Sequence, residues 1–122
     1  MANRNYSRVQ ALNHEVKIIG GNWSIAASGG AATKVQGLGW SVAKTGTGIY
    51  TVTLEDSYVA LLSATATVQA ATAVDLVAQI KSHDVVTAKT VVIELLATAT
   101  PTEPAAVTLV HFQLLLRNST VA

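Results

Sequence analysis

The chain has 122 residues, enough for one small domain; 50% are hydrophobic, only 12% are charged, and the formal net charge is +1. A charged fraction this far below the roughly 25% of ordinary globular domains excludes disorder, and the near-neutral balance provides no strong field to recruit nucleic acid or an acidic membrane. With no cysteine, the chain has no disulfide framework, thiol nucleophile or thiolate metal site.

Residues 1–12 read as a polar arm, in which Arg4, Asn5, Tyr6 and Arg8 are the candidate partner-binding residues. The first sixteen residues carry arginines but no apolar segment of the signal-peptide kind. From residue 13 to 122 the pattern is that of a single domain. Gly20-Gly21, Gly29-Gly30 and Gly37-Leu38-Gly39 punctuate its first third as turn signals. Residues 40–44 and 49–54 alternate with period two on either side of Thr45-Gly46-Thr47-Gly48, which predicts a hairpin with glycines at positive φ. Glu55 and Asp56 follow, and Tyr58, Leu61 and Leu62 at i, i+3 and i+4 predict a helical turn over residues 55–62.

The uncharged stretch 57–74 is 18 residues long, near the lower limit for a membrane-spanning helix. Its Ser, Thr and Gln residues alternate with apolar ones over 63–70, so a strand is the better reading. Residues 70–82 stay open between strand and helix, because alternation and alanine content point in different directions. Residues 91–98 and 109–116 alternate but are apolar on much of both faces, as strands are when central or covered by a neighbour. Pro101 and Pro104 break the chain between them. About eight strands separated by short turns predict an all-β fold, an antiparallel β-sandwich of the jelly-roll kind.

Residues of chemical interest are scattered. His14, His83 and His111 show no metal-ligand spacing, so no metal site is expected. Glu55-Asp56 suits a helix first turn better than paired acid–base work. The glycine loop lacks phosphate-cradle spacing and leads into a strand. Serine-nucleophile motifs are absent from the sequence. We therefore expect no enzyme, no cofactor and no catalytic residue. Trp40, Tyr50, Phe112 and Leu114 are the candidate core or subunit-interface anchors. The 20 Ala, 16 Val and 15 Thr suit a pleated surface. The mean hydropathy of +0.40 is high for so small a domain, which predicts that part of the surface is covered by other subunits or by a larger particle.

The run from Gly39 through Trp40, Thr45-Gly46-Thr47-Gly48 and Tyr50 to Leu54 is the most distinctive piece of the sequence. With residues 58–62, the strand at 107–116 and the closing Leu116-Arg117-Asn118-Ser119, it resembles small structural proteins of tailed bacteriophages. Capsid decoration (cement) proteins are similar in size and β content. The aromatic strand after the hairpin also resembles C1q-like jelly rolls. The resemblance implies a homotrimer on the virion exterior that binds the major capsid protein and bridges capsomers, without nucleic-acid or membrane partners. The alternative it leaves is a receptor- or glycan-binding head of a fibre or spike.

Overall fold

A computed structural model describes residues 15–27, 30–72 and 74–118. Nine strands and no helix are found among them. They are β1 (Val16–Ile25), β2 (Ala32–Gly37), β3 (Trp40–Gly46), β4 (Ile49–Leu54), β5 (Ala60–Ala70), β6 (Val77–Asp84), β7 (Thr90–Ala97), the two-residue β8 (Thr100–Pro101) and β9 (Thr108–Arg117). All pairings are antiparallel. Sheet A has the order β2-β1-β9-β5 and sheet B the order β3-β4-β7-β6, with β8 added to β7. The result is a β-sandwich.

The first four strands form a meander that steps from sheet A to sheet B through the turn between β2 and β3. Strands β5, β6 and β7 then run consecutively, with β4 returning beside β7 and β9 beside β5. These are two overlapping Greek keys, the device from which jelly rolls are built. At the sandwich margins β2 lies against β3 and β5 against β6. The two doubly apolar segments of the sequence become β7 and β9, each flanked by long strands on both sides.

The core sits between the sheets and is fed mainly by the inner strands. Trp23 and Ile25 of β1, Tyr50 and Val52 of β4, Val91, Ile93 and Leu95 of β7, and Val110, Leu114 and Leu116 of β9 are wholly buried. Apart from Trp40 of β3, the marginal strands contribute smaller or half-buried groups, among them Ala64, Ala66 and Val68 of β5 and Ala78 and Ile80 of β6. Four rings from four strands meet at the centre. Trp40 stands edge-on to Phe112 at 4.7 Å between centroids, and Trp23 lies 5.6 Å from Phe112 and 6.0 Å from Tyr50. Such spacings are favourable for aromatic pairs beyond the area they bury.

Several local expectations are corrected. Gly20-Gly21 is not a turn: both residues lie within β1, where a Cβ on Gly20 would stand 2.9 Å from the Phe112 carbonyl. The pair keeps the strand thin where the Trp40 indole crosses it, with Trp40 Nε1 donating to the Gly20 carbonyl at 3.3 Å. Gly37, at φ +123°, completes the space, since a Cβ there would collide with the indole nitrogen. Lys34 closes the cleft, with Nζ 4.9 Å from the Trp40 ring centroid and donating to the Trp40 carbonyl.

Residues 55–62 form no helical turn. Their backbone donors are engaged by neighbouring segments: Glu55 N–H by the Gly39 carbonyl, Tyr58 N–H by Val85 and Val59 N–H by Arg117. A helix would need those donors for itself. In the hairpin between β3 and β4 only Gly48 adopts positive φ, at +67°, while Gly46 sits at a bulge in the pairing. The open segment 70–82 resolves into strand from Val77 onward.

Candidate binding faces

Trp40, Tyr50, Phe112 and Leu114 are all buried within the single chain, at 5% exposure or less. They hold the sheets together and present nothing to the surface. Arg4, Asn5, Tyr6 and Arg8 lie outside the described residues. The first described residue, Glu15, accepts a bond from Asn118 N–H at 3.0 Å, beside the end of β9.

Among the described residues, the His, Asp and Glu side chains do not converge on one site. His83 and Asp84 end β6, His111 lies mid-strand in β9, and Glu55 and Asp56 are exposed in the β4–β5 connection. No group of three His, Asp or Glu side chains suited to a metal ion occurs among the described residues. The Asp84 carboxylate accepts from Thr87 N–H at 3.0 Å. Backbone donors of the β6–β7 turn, Thr87 foremost, hold its pKa below the usual carboxylate range. Its task is to shape that turn.

The outward faces of the two sheets remain. On sheet A the β9 residues Leu109, His111, Gln113 and Leu115 form the central row. Ser24, Asn22, Gly20 and Ile18 of β1 stand opposite them on one side, and Gln69, Thr67, Thr65 and Ser63 of β5 on the other. No lysine, arginine or carboxylate is among these twelve positions. His111 is the one titratable group there, and its Nε2 lies 2.6 Å from Gln69 Oε1. Two shallow grooves mark the face. One, of about 150 Å³, is lined by Ser63, Thr65, Gln113 and Leu115. The other, of about 250 Å³, runs along Gln69, Ala70, Ala71, Val107 and Leu109.

Sheet B differs in charge. Glu94 stands on its central strand with only 8% exposure, accepting from Gln79 Nε2 at 3.3 Å and lying 4.0 Å from Lys81 Nζ. Ile49 faces Glu94 from β4. At the far end Lys44 pairs with Glu103, tying β3 to the segment after β8.

Sequence reading missed the sheet A face as a unit. Period two shows that Gln113 and Leu115 share a side, but only the register brings Thr65 and Gly20 beside Gln113. What the fold and these faces define is a small antiparallel β-sandwich with broad flat surfaces. No protein family matches the chain, and no curated protein or solved structure matches it either.

Proposed function

We propose that this chain is a structural protein of a tailed-phage particle, a decoration (cement) protein that lies on the capsid exterior and bridges neighbouring shell subunits. The observation that supports this reading is the form of the sheet A face. It is broad, uncharged except for Arg117 at one end, built of Thr, Ser, Gln and Asn around Leu109 and Leu115, and only shallowly grooved. Such a surface suits contact with other protein over area better than the enclosure of a small molecule, which calls for a concave, mostly apolar site. The resemblance of residues 39–54, together with 58–62, 107–116 and the closing 116–119, to phage structural proteins is a second line of support.

The mechanism is mechanical. Many weak contacts from each copy add across a shell, and occupancy stabilises the assembled particle by mass action. We assign the arm at residues 1–12, with Arg4 and Arg8, to the shell contact on the strength of its polar, Asn-rich sequence. A receptor- or glycan-binding head is the weaker reading. Sugar-binding sites rely on accessible rings, and of the five described aromatics Trp23, Trp40, Tyr50 and Phe112 are in the core, leaving Tyr58 alone partly exposed.

The test is copy number in purified particles, by quantitative mass spectrometry against the major capsid protein. Hundreds of copies, near one per shell subunit, are expected. Tens or fewer, or none, would overturn the reading. Deleting residues 2–12 is expected to weaken binding to undecorated shells, and undiminished binding would remove the arm from the mechanism.

A further inference from the structure

Of the two sheet faces, only that of sheet A is composed so that it can meet its own image. In a two-fold pair each residue of the contact meets the same surface on the other copy, so any cluster of like charge on the patch opposes itself. Sheet A has no lysine, arginine or carboxylate at the outward positions from Ile18 to Ser24 of β1, Leu109 to Leu115 of β9 and Ser63 to Gln69 of β5; Arg117 continues the β9 row only at the end of the sheet, away from Gln113. Its Thr, Ser, Gln and Asn side chains each carry both donor and acceptor, so each is able to satisfy its counterpart. Leu109, Leu115 and Ile18 supply apolar surface between them, and Ile18 is 60% exposed in the single chain. On sheet B, Glu94 and Lys81 make the equivalent surface charged.

The dimensions also fit. The ten-residue β1 and β9, the eleven-residue β5 and the shorter β2 cover about 600 Å² at ordinary strand rise and spacing, so a pair would bury about 1,200 Å², at the lower end of specific protein interfaces. Stacked sheets of this kind pack about 10 Å apart with their side chains interdigitated. The grooves beside Gln113 and Leu109 offer room for that interdigitation.

We propose that the outer face of sheet A is a self-association surface, on which a second copy of this chain packs sheet against sheet about a two-fold axis. The inference does not rest on the decoration reading, because pairing is a property of the purified chain and copy number is a property of the particle. It also differs from the threefold association that the phage resemblance implies. A threefold ring joins two unlike patches, whereas this face is matched to itself.

Gln113 lies near the centre of the face and is exposed, so its replacement leaves the core intact. The purified full chain is expected to sediment with the mass of two copies at micromolar concentration. Gln113→Lys and Gln113→Glu should each weaken association by about a hundredfold or more, because like charges then meet across the contact. Mixing the two variants should restore the pair. Thr53→Lys, at an exposed position on sheet B, should leave the mass unchanged. Circular dichroism spectra matching the unmodified chain establish that each variant is folded. A monomeric or trimeric unmodified chain would overturn the proposal, as would Gln113 variants that still pair, or a mixture that stays monomeric.

Discussion

The hydroxyl of Tyr50 is buried with no hydrogen-bond partner among the described residues. Burial first, and then the Glu103 carboxylate, pushes its pKa up to about 12. Below pH 10 folded and unfolded chains both hold the proton, so the phenol adds no pH dependence. Between about pH 10 and about pH 12 only the unfolded chain releases it, and stability falls as pH rises, by on the order of 2 kcal/mol in all. Tyr50→Phe keeps the ring against Trp23 and removes the stranded hydroxyl. We predict that it raises stability at neutral pH by about 1 kcal/mol and flattens the alkaline decline. Urea unfolding of both proteins at neutral pH and near pH 11 measures the two effects together. An unchanged alkaline slope in the variant would assign it to other groups. Trp23 Nε1 is stranded in the same way, so the aromatic centre gains its stability from packing at some polar cost.

Among the elements, the β3–β4 hairpin tolerates little change at one position. Gly48 combines positive φ with close backbone: a Cβ would stand 2.7 Å from the Thr102 nitrogen and 2.8 Å from its carbonyl oxygen. Gly48→Ala is predicted to cost about 2 kcal/mol or more in a denaturant titration. Gly46→Ala, which meets only the Ile49 side chain at 3.4 Å or more, should cost much less. In the β6–β7 turn, Asp84 contributes stability above its unfolded pKa that is lost as pH falls through its depressed folded value. Asp84→Asn keeps the acceptor for Thr87 but no longer titrates. Its melting temperature should therefore decline less steeply than that of the unmodified chain under acid conditions. These elements also mark what was legible in the sequence. Alternation located β4, β7 and β9, because their inward residues are large and regularly spaced. The glycine turn signal failed at Gly20-Gly21, where glycine serves the passage of the distant Trp40, and the i, i+3, i+4 spacing failed at residues 55–62, where donors bond to other segments. Local patterns carry no record of such long-range partners.

In the molecule as a whole, rings from β1, β3, β4 and β9 meet in one cluster, so neither sheet keeps its packing without the other. Unfolding is predicted to be a single transition, with far-ultraviolet and near-ultraviolet circular dichroism coinciding across a urea titration. Two separated transitions would show that the sheets have independent stability. The sequence made the sandwich legible, but not the neutral face of sheet A, since that face exists only once β1, β9 and β5 are in register. The described chain also begins and ends in one place: Val16 pairs with Arg117, and Asn118 donates to Glu15. Topologically it is nearly a loop with a single cut. A short bridge across that cut, with new termini opened at the β1–β2 connection, should give a circularly permuted protein with the same two sheets. The order in which the strands leave the ribosome would change, and the architecture they build would not.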